Sequence, residues 1–295
     1  MGALFDAYLA VDWSARSRPS PARPTPDSIW VAQRCGRSGT EWNPRTRRAA
    51  RELLETLLAE HMAAGRRVFA GFDFALGYPA GFARSLGLAG SRAPWLRLWQ
   101  ELERRVIDET DNGNNRFDVA AGLNARCGGV TPGPLWGCPE AHRSPTLMPK
   151  SPGFPYVVGS GAVLPRLRWT DRGGVQPVWK LYGNGSVGSQ TLLGIPVVAY
   201  LRTTFGSAGR VWPFETGFTA VASPIVYAEI WPSLARAAYD VEVPVKDQRQ
   251  VRAMTMWLSD MDDAGSLADL FGRPPDLPPE GVAAAVEEEG WILGV

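Results

Sequence analysis

Near the N-terminus the chain reads AYLAVDWSA over Ala7 to Ala15, an apolar run from Tyr8 to Val11 that closes on one carboxylate, Asp12. A run without polar alternation is the signature of a strand buried on both faces, so the chain needs a sheet with further layers above and below it. A carboxylate beside such a strand is costly to desolvate unless it is paired, protonated or bound to metal. Three later acids sit in similar surroundings: Asp73 in VFAGFDF, Glu229 in VYAEIWP and Asp247 in VPVKDQ. The expectation is that the fold gathers Asp12, Asp73, Glu229 and Asp247 to hold a divalent metal.

The 295 residues suffice for one large domain or one domain with an insertion. A net charge of +1 does not supply the strong positive field of a protein that coats duplex DNA nonspecifically, although a local basic groove is compatible with it. Cys35, Cys127 and Cys138 form an odd set with no CxxC, which argues against a disulfide framework and fits a reducing cytosol. No stretch reaches the length of a membrane span, and the longest apolar-looking one, Leu192 to Leu201, holds Gly194 and Pro196. A soluble, cytoplasmic protein is expected.

Arg16 to Asp27 reads as an exposed Arg/Pro/Ser loop, and Ser28 to Arg34 as a strand antiparallel to the first. A third strand would lie between Cys35 and Trp42. Asn43-Pro44 predicts a helix start, and Leu53, Leu54, Leu57, Leu58 and Met62 mark that helix's apolar face before Gly65 ends it. Its early arginines, Arg45, Arg47, Arg48 and Arg51, read as a solvated face or as an anion-facing surface. Arg67 to Phe74 is a further buried strand, and the helix before it predicts a parallel crossover that leaves Asp73 at a strand's C-terminal end, where ligands of α/β sheets gather. Residues 80–220 read as a large irregular Pro/Gly-rich insertion or lid, with helices at Pro94 to Ile107 and Asn114 to Arg126. Val175 to Leu181 and Arg210 to Glu215 are candidate strands around an interrupted helix at Ser189 to Thr204. The last third returns to a strand at Ile225 to Trp231, helices at Lys246 to Met261 and Pro279 to Glu289, and an apolar tail, GWILGV, expected to dock as a strand or plug.

Two-metal phosphoryl hydrolysis needs three or four carboxylates converging from separate elements, and the four acids meet that need. Magnesium or manganese suits such oxygen ligands while leaving room for water and substrate phosphate. The stretches AVDWSA, GFDF, AEIWPS and the helix KDQRQVRA resemble a family of predicted nucleases with a ribonuclease-H-like fold, a domain of unknown function. The segment GNGSVGSQTLLGIP is also similar to that group. The resemblance implies a single α/β domain over residues 1–295, with a ribonuclease-H-like mixed β-sheet flanked by helices. It also implies metal-dependent cleavage of a nucleic acid or nucleotide. On it, Asp12, Asp73 and Glu229 take the acidic positions and Lys246-Asp247 the late-helix pair. One position departs: related nucleases often place an Asp a turn further into the last helix, where Gln250 or Val251 stands here.

Two other function classes stay open. The turn GNGSVG satisfies G-x-G-x-x-G at Gly183, Gly185 and Gly188, which would suit a dinucleotide-binding oxidoreductase if a strand precedes it and a helix follows. Glu215 would then be the ribose acid, although it lies 27 residues on and Pro196 falls inside the supporting helix. The same turn, with Ser186, could instead offer backbone amides to a substrate phosphate. Arg116, in NGNNRFD, either lines the site or belongs to a loop-to-helix cap. The third class is a non-catalytic binding module in which the acids hold no metal. Cys127, Cys138 and His142 match no zinc spacing and read as buried thiols, and His61 reads as a helix C-terminal partner. A serine hydrolase would need a G-x-S-x-G elbow, which the sequence lacks.

Overall fold

The computed structural model describes residues 2–129, 131–171 and 175–295. The apolar run forms β1 (Ala7–Asp12), buried along its whole length. β2 (Trp30–Cys35) pairs antiparallel with it and β3 (Ser38–Trp42) antiparallel with β2. Helix α1 (Arg47–Ala63) crosses over to β4 (Val68–Phe72), which runs parallel to β1 as expected from a helix between two buried strands. After the helices α2 (Phe82–Ser85), α3 (Pro94–Arg105) and α4 (Arg116–Cys127) comes a two-stranded ribbon, β5 (Tyr156–Val157) with β6 (Val163–Leu164). Helix α5 (Gly188–Phe205) leads to β7 (Gly209–Val211), and β8 (Ile225–Glu229) runs parallel to both β4 and β7. The last helices are α6 (Lys246–Asp263), α7 (Leu267–Leu270) and α8 (Pro279–Ala284), which widens into a π-turn at Ala285–Glu289. The main sheet is mixed and six-stranded, in the order β3-β2-β1-β4-β8-β7.

Alternation along the strands divides the core into two layers. Leu9, Val11, Ala70, Phe72 and Tyr227 pack with Leu54 and Leu58 of α1, Leu98 of α3 and Ile195 of α5. Tyr8, Ala10, Phe69, Val226 and Ala228 pack on the other face with Val251, Met254 and Leu258 of α6. β1 has no polar side because both of its faces are covered. The C-terminal tail closes the second layer, with Leu293 N–H donating to Glu229 O at 3.0 Å. No helix among the described residues is long and apolar enough to cross a membrane.

Several local expectations are corrected. The cap of α1 is Thr46, whose hydroxyl accepts from Ala49 N–H. Asn43 is unavailable because its amide donates to Ser28 Oγ and Ile29 O. Pro196 does not interrupt α5, which continues through it to Phe205. Val175 to Leu181 is not a strand: it turns at Pro177, whose carbonyl accepts from Lys180 N–H, and keeps one bridge from Lys180 to Trp136.

Arg47 belongs to no solvated face. Its guanidinium, 1% exposed, forks onto both carboxylate oxygens of Asp108 at 2.6 Å. It also donates to the carbonyls of Ser14, Arg16 and Asn112. It therefore ties the loop that leaves β1 to the start of α1. Arg47→Ala strands the Asp108 carboxylate and three carbonyls, and is expected to cost roughly 2–3 kcal/mol. A urea midpoint that does not fall in this variant would refute the assignment.

Candidate functional site

Strand register places the acids. Val11 pairs with Phe72 in the parallel β1–β4 ladder, and Asp73 N–H donates to Val11 O at 2.9 Å. One residue further on, Asp12 and Asp73 stand side by side and point to the same face, the one that α6 covers. Asp247 arrives there from the first turn of α6, where the helix dipole favours a carboxylate, and accepts from Asp27 N–H at 2.6 Å. Lys246, exposed, precedes it. Behind the two strand acids, Trp13 and Phe74 pack against each other at 6.0 Å. Gly194 of α5 lets Phe74 lie there, since a Cβ would come within 2.3 Å of its ring.

Glu229 is one step out of register. It pairs with Phe72 in the β4–β8 ladder, so its side chain leaves the sheet on the opposite face from Asp73. There Arg168 forks onto it, Nη1 to Oε2 and Nη2 to Oε1, both at 2.7 Å, and Leu76 N–H donates to Oε2. Arg168 also binds Asp171 and the carbonyl of Glu289, and all three charged side chains are almost wholly buried. Burial still holds the Glu229 carboxyl above its ordinary value, with Arg168 opposing that effect. Two neighbouring acids brace the surrounding loops: Glu288 accepts from the amides of Gly81 and Ala83, and Glu289 from those of Ala80 and Trp169.

Asp12 and Asp73 have no such partners. Among the described residues neither carboxylate accepts a hydrogen bond or lies in an ion pair, although Asp12 is 8% exposed and Asp73 half-buried. Burial, then the charges of Asp73 and Asp247, raise the Asp12 carboxyl well above its ordinary value. Burial, then the charges of Glu229 and Asp247, push Asp73 up to about 7. Lys246 opposes both shifts. Asp247 is raised chiefly by burial.

The acids border one cavity of about 810 Å³ at the C-terminal ends of β1, β4 and β8. Asp12, Asp73, Asp247, Lys246 and Glu229 line it, and so do Arg116, Gly183, Gly185 and Ser186 of the sequence-predicted set. Gly188 closes the turn beneath it, because a Cβ there would meet Val178 O at 2.3 Å. Asp27 and Arg168 also line the cavity, and sequence reasoning missed both. Asp27 falls at the end of a loop that reads as solvated, and Arg168 inside an irregular stretch. The only available signal was the i,i+3 spacing of Arg168 and Asp171.

The dinucleotide context is not met. Among the described residues no strand leads directly into GNGSVG, and both oxygens of Glu215 are held by Arg202. Cys127 and Cys138 are buried free thiols, as expected, and His61 bonds Gln33 through its ring. Comparison with protein-family models, with curated proteins and with solved structures finds no match for the chain.

Proposed function

We propose that the chain is a metal-dependent phosphodiester hydrolase of ribonuclease-H-like architecture, with residues 80–220 as an insertion bordering the site. Three antiparallel strands followed by parallel β4 and β8 support the architecture. One observation carries the chemistry: Asp12 and Asp73 lie side by side at strand ends, facing the cavity, with no arginine or lysine of the described residues within ion-pair distance. Adjacent, partly desolvated carboxylates repel each other, and a divalent cation relieves that repulsion directly.

The donor set suits Mg²⁺ or Mn²⁺. Among the described residues no group of three or more acidic, histidine or cysteine side chains stands ready as a complete metal cage. Magnesium is commonly held by one or two carboxylates, with water and substrate phosphate completing its shell. Asp12 and Asp73 are the ligands in this reading, with Asp247 facing them from α6. When bound, such an ion would polarise the phosphoryl group and activate a water nucleophile. Lys246 neutralises charge developing on the phosphoryl oxygens. Glu229, its oxygens already engaged, holds Arg168 in place at the cavity wall.

Thermal unfolding in chelator and in millimolar MnCl₂ tests the metal set. Manganese at 100 times its Kd is expected to add about 2.7 kcal/mol to the wild-type protein. Asp12→Asn and Asp73→Asn should each lose most of that gain. A wild-type protein indifferent to manganese would favour the non-catalytic binding module.

A further inference from the structure

Arg116 is a buried cation with no counter-ion among the described residues, its guanidinium 4.4 Å from the Phe117 ring centroid. It is 9% exposed and borders the cavity, yet its hydrogen bonds all go to neutral oxygens: Ser189 Oγ, Ser17 Oγ and Asn114 Oδ1. Its Nη2 donates to nothing among the described residues, and no acid there lies within ion-pair distance of it. The residues outside the described set, 1, 130 and 172–174, include no acid. The acid whose charge acts on it, Asp108, has both oxygens occupied by Arg47. Burial, and then the Arg47 charge, bring the Arg116 guanidinium down to about 10, so it is still charged at neutral pH.

A buried guanidinium without an anion is a destabilising arrangement, and an incoming anion reverses the cost. The groups around it suit one. Ser189, which anchors Arg116 Nε, belongs to the first turn of α5, an 18-residue helix whose N-terminal end carries no side-chain cap. The amides of Ser189 and Gln190 find no acceptor among the described residues, and both residues line the cavity. Unpaired first-turn amides, the positive end of a long helix and the free Nη2 of a buried guanidinium together suit a phosphate. The subsite adjoins the acids, since the Gln190 side chain donates to Trp13 O, one residue beyond Asp12. Tyr182, 54% exposed, stands at its rim and offers an aromatic face.

We propose that Arg116 and the N-terminus of α5 form a phosphate subsite, distinct from the acid pair, that takes a second phosphate of a nucleotide substrate. The assignment of that phosphate to the substrate rests on the phosphodiesterase reading, whereas the subsite itself does not. Calorimetric titrations in EDTA, with no divalent metal present, separate the two. Inorganic phosphate, a nucleoside 5′-monophosphate and the parent nucleoside are compared at ionic strength matched with chloride. Phosphate and the monophosphate should each bind at one site, the monophosphate more tightly, and the nucleoside should not bind without its phosphate. Arg116→Gln should weaken both at least tenfold, while Asp12→Asn leaves them intact or tighter. Arg116→Lys keeps the charge without the planar guanidinium that Ser189, Ser17 and Asn114 orient, and is the second variant should the glutamine protein not fold. It should bind several-fold more weakly than wild type. No phosphate binding by the wild type, or unchanged binding in a folded Arg116 variant, overturns the subsite. Phosphate binding with no gain for the monophosphate overturns the nucleotide assignment. Arg116-dependent binding by a protein that cleaves nothing in manganese would keep the subsite and remove the hydrolase.

Discussion

Asp12→Asn protein is expected to cleave a phosphodiester substrate in manganese on the order of 10³-fold more slowly than wild type while remaining folded. An amide keeps the size of the carboxylate and removes the charge that the cation would neutralise. The two roles of the acid pair, binding and repulsion, predict opposite effects on activity and on stability. Asp73→Asn displays the cost of the buried charge, because burial, and then the charges of Glu229 and Asp247, push the carboxyl it replaces from 3.8 to about 7. A carboxyl raised in the folded state favours folding while protonated. That contribution is complete below about pH 4 and disappears as the pH rises through about 7. In chelator, Asp73→Asn should therefore match the wild type near pH 3.5 and exceed it above pH 7, by at most about 4 kcal/mol. Manganese should narrow the difference by stabilising only the wild type. Metal-responsive cleavage by Asp12→Asn would remove the hydrolase proposal, and equal stability of Asp73→Asn and wild type at pH 8 would remove the repulsion behind it.

The largest loss of stability is expected from Arg168→Ala. Arg168 is the common partner of Glu229 and Asp171 and also bonds the carbonyl of Glu289. Deleting it leaves two carboxylates buried without their cation, which costs roughly 3–5 kcal/mol in comparable settings. For a chain of this size that corresponds to a fall in Tm of roughly 5–8 °C. The deficit should shrink in acid as Glu229 takes up a proton. Arg168→Lys, which keeps the charge but not the fork, should fall between the two and serves if the alanine protein cannot be purified. A loss under about 1 kcal/mol in the alanine variant would show that the triad does not hold the end of β8.

The acid strands and the crossover between them were legible because both rest on local pattern. The unbroken apolar runs of β1, β4 and β8 announce burial on two faces, and the α1 periodicity between β1 and β4 announces a parallel return. Asp12 and Asp73 were visible for the same reason, as charges closing runs that should hold none. Glu229 looked equivalent to them along the chain, but the ladder pairs it with Phe72, and that single step of register turns it to the other face. The roles of Arg47 and Arg168 were not legible, whereas Arg116 was named as a candidate and does line the cavity. An arginine in a loop or on a first helical turn reads as solvated, and some of its acceptors lie far along the chain, 31 residues from Arg47 to Arg16 and 121 from Arg168 to Glu289.

By itself, then, the amino-acid order determined which segments must be covered on both sides and which carboxylates would be expensive there, because burial and period are properties of short windows. Only the tertiary structure decided which acids share a face and which cations reach them. Those outcomes depend on strand register and on hydrogen bonds between distant segments, and neither leaves a trace in local composition.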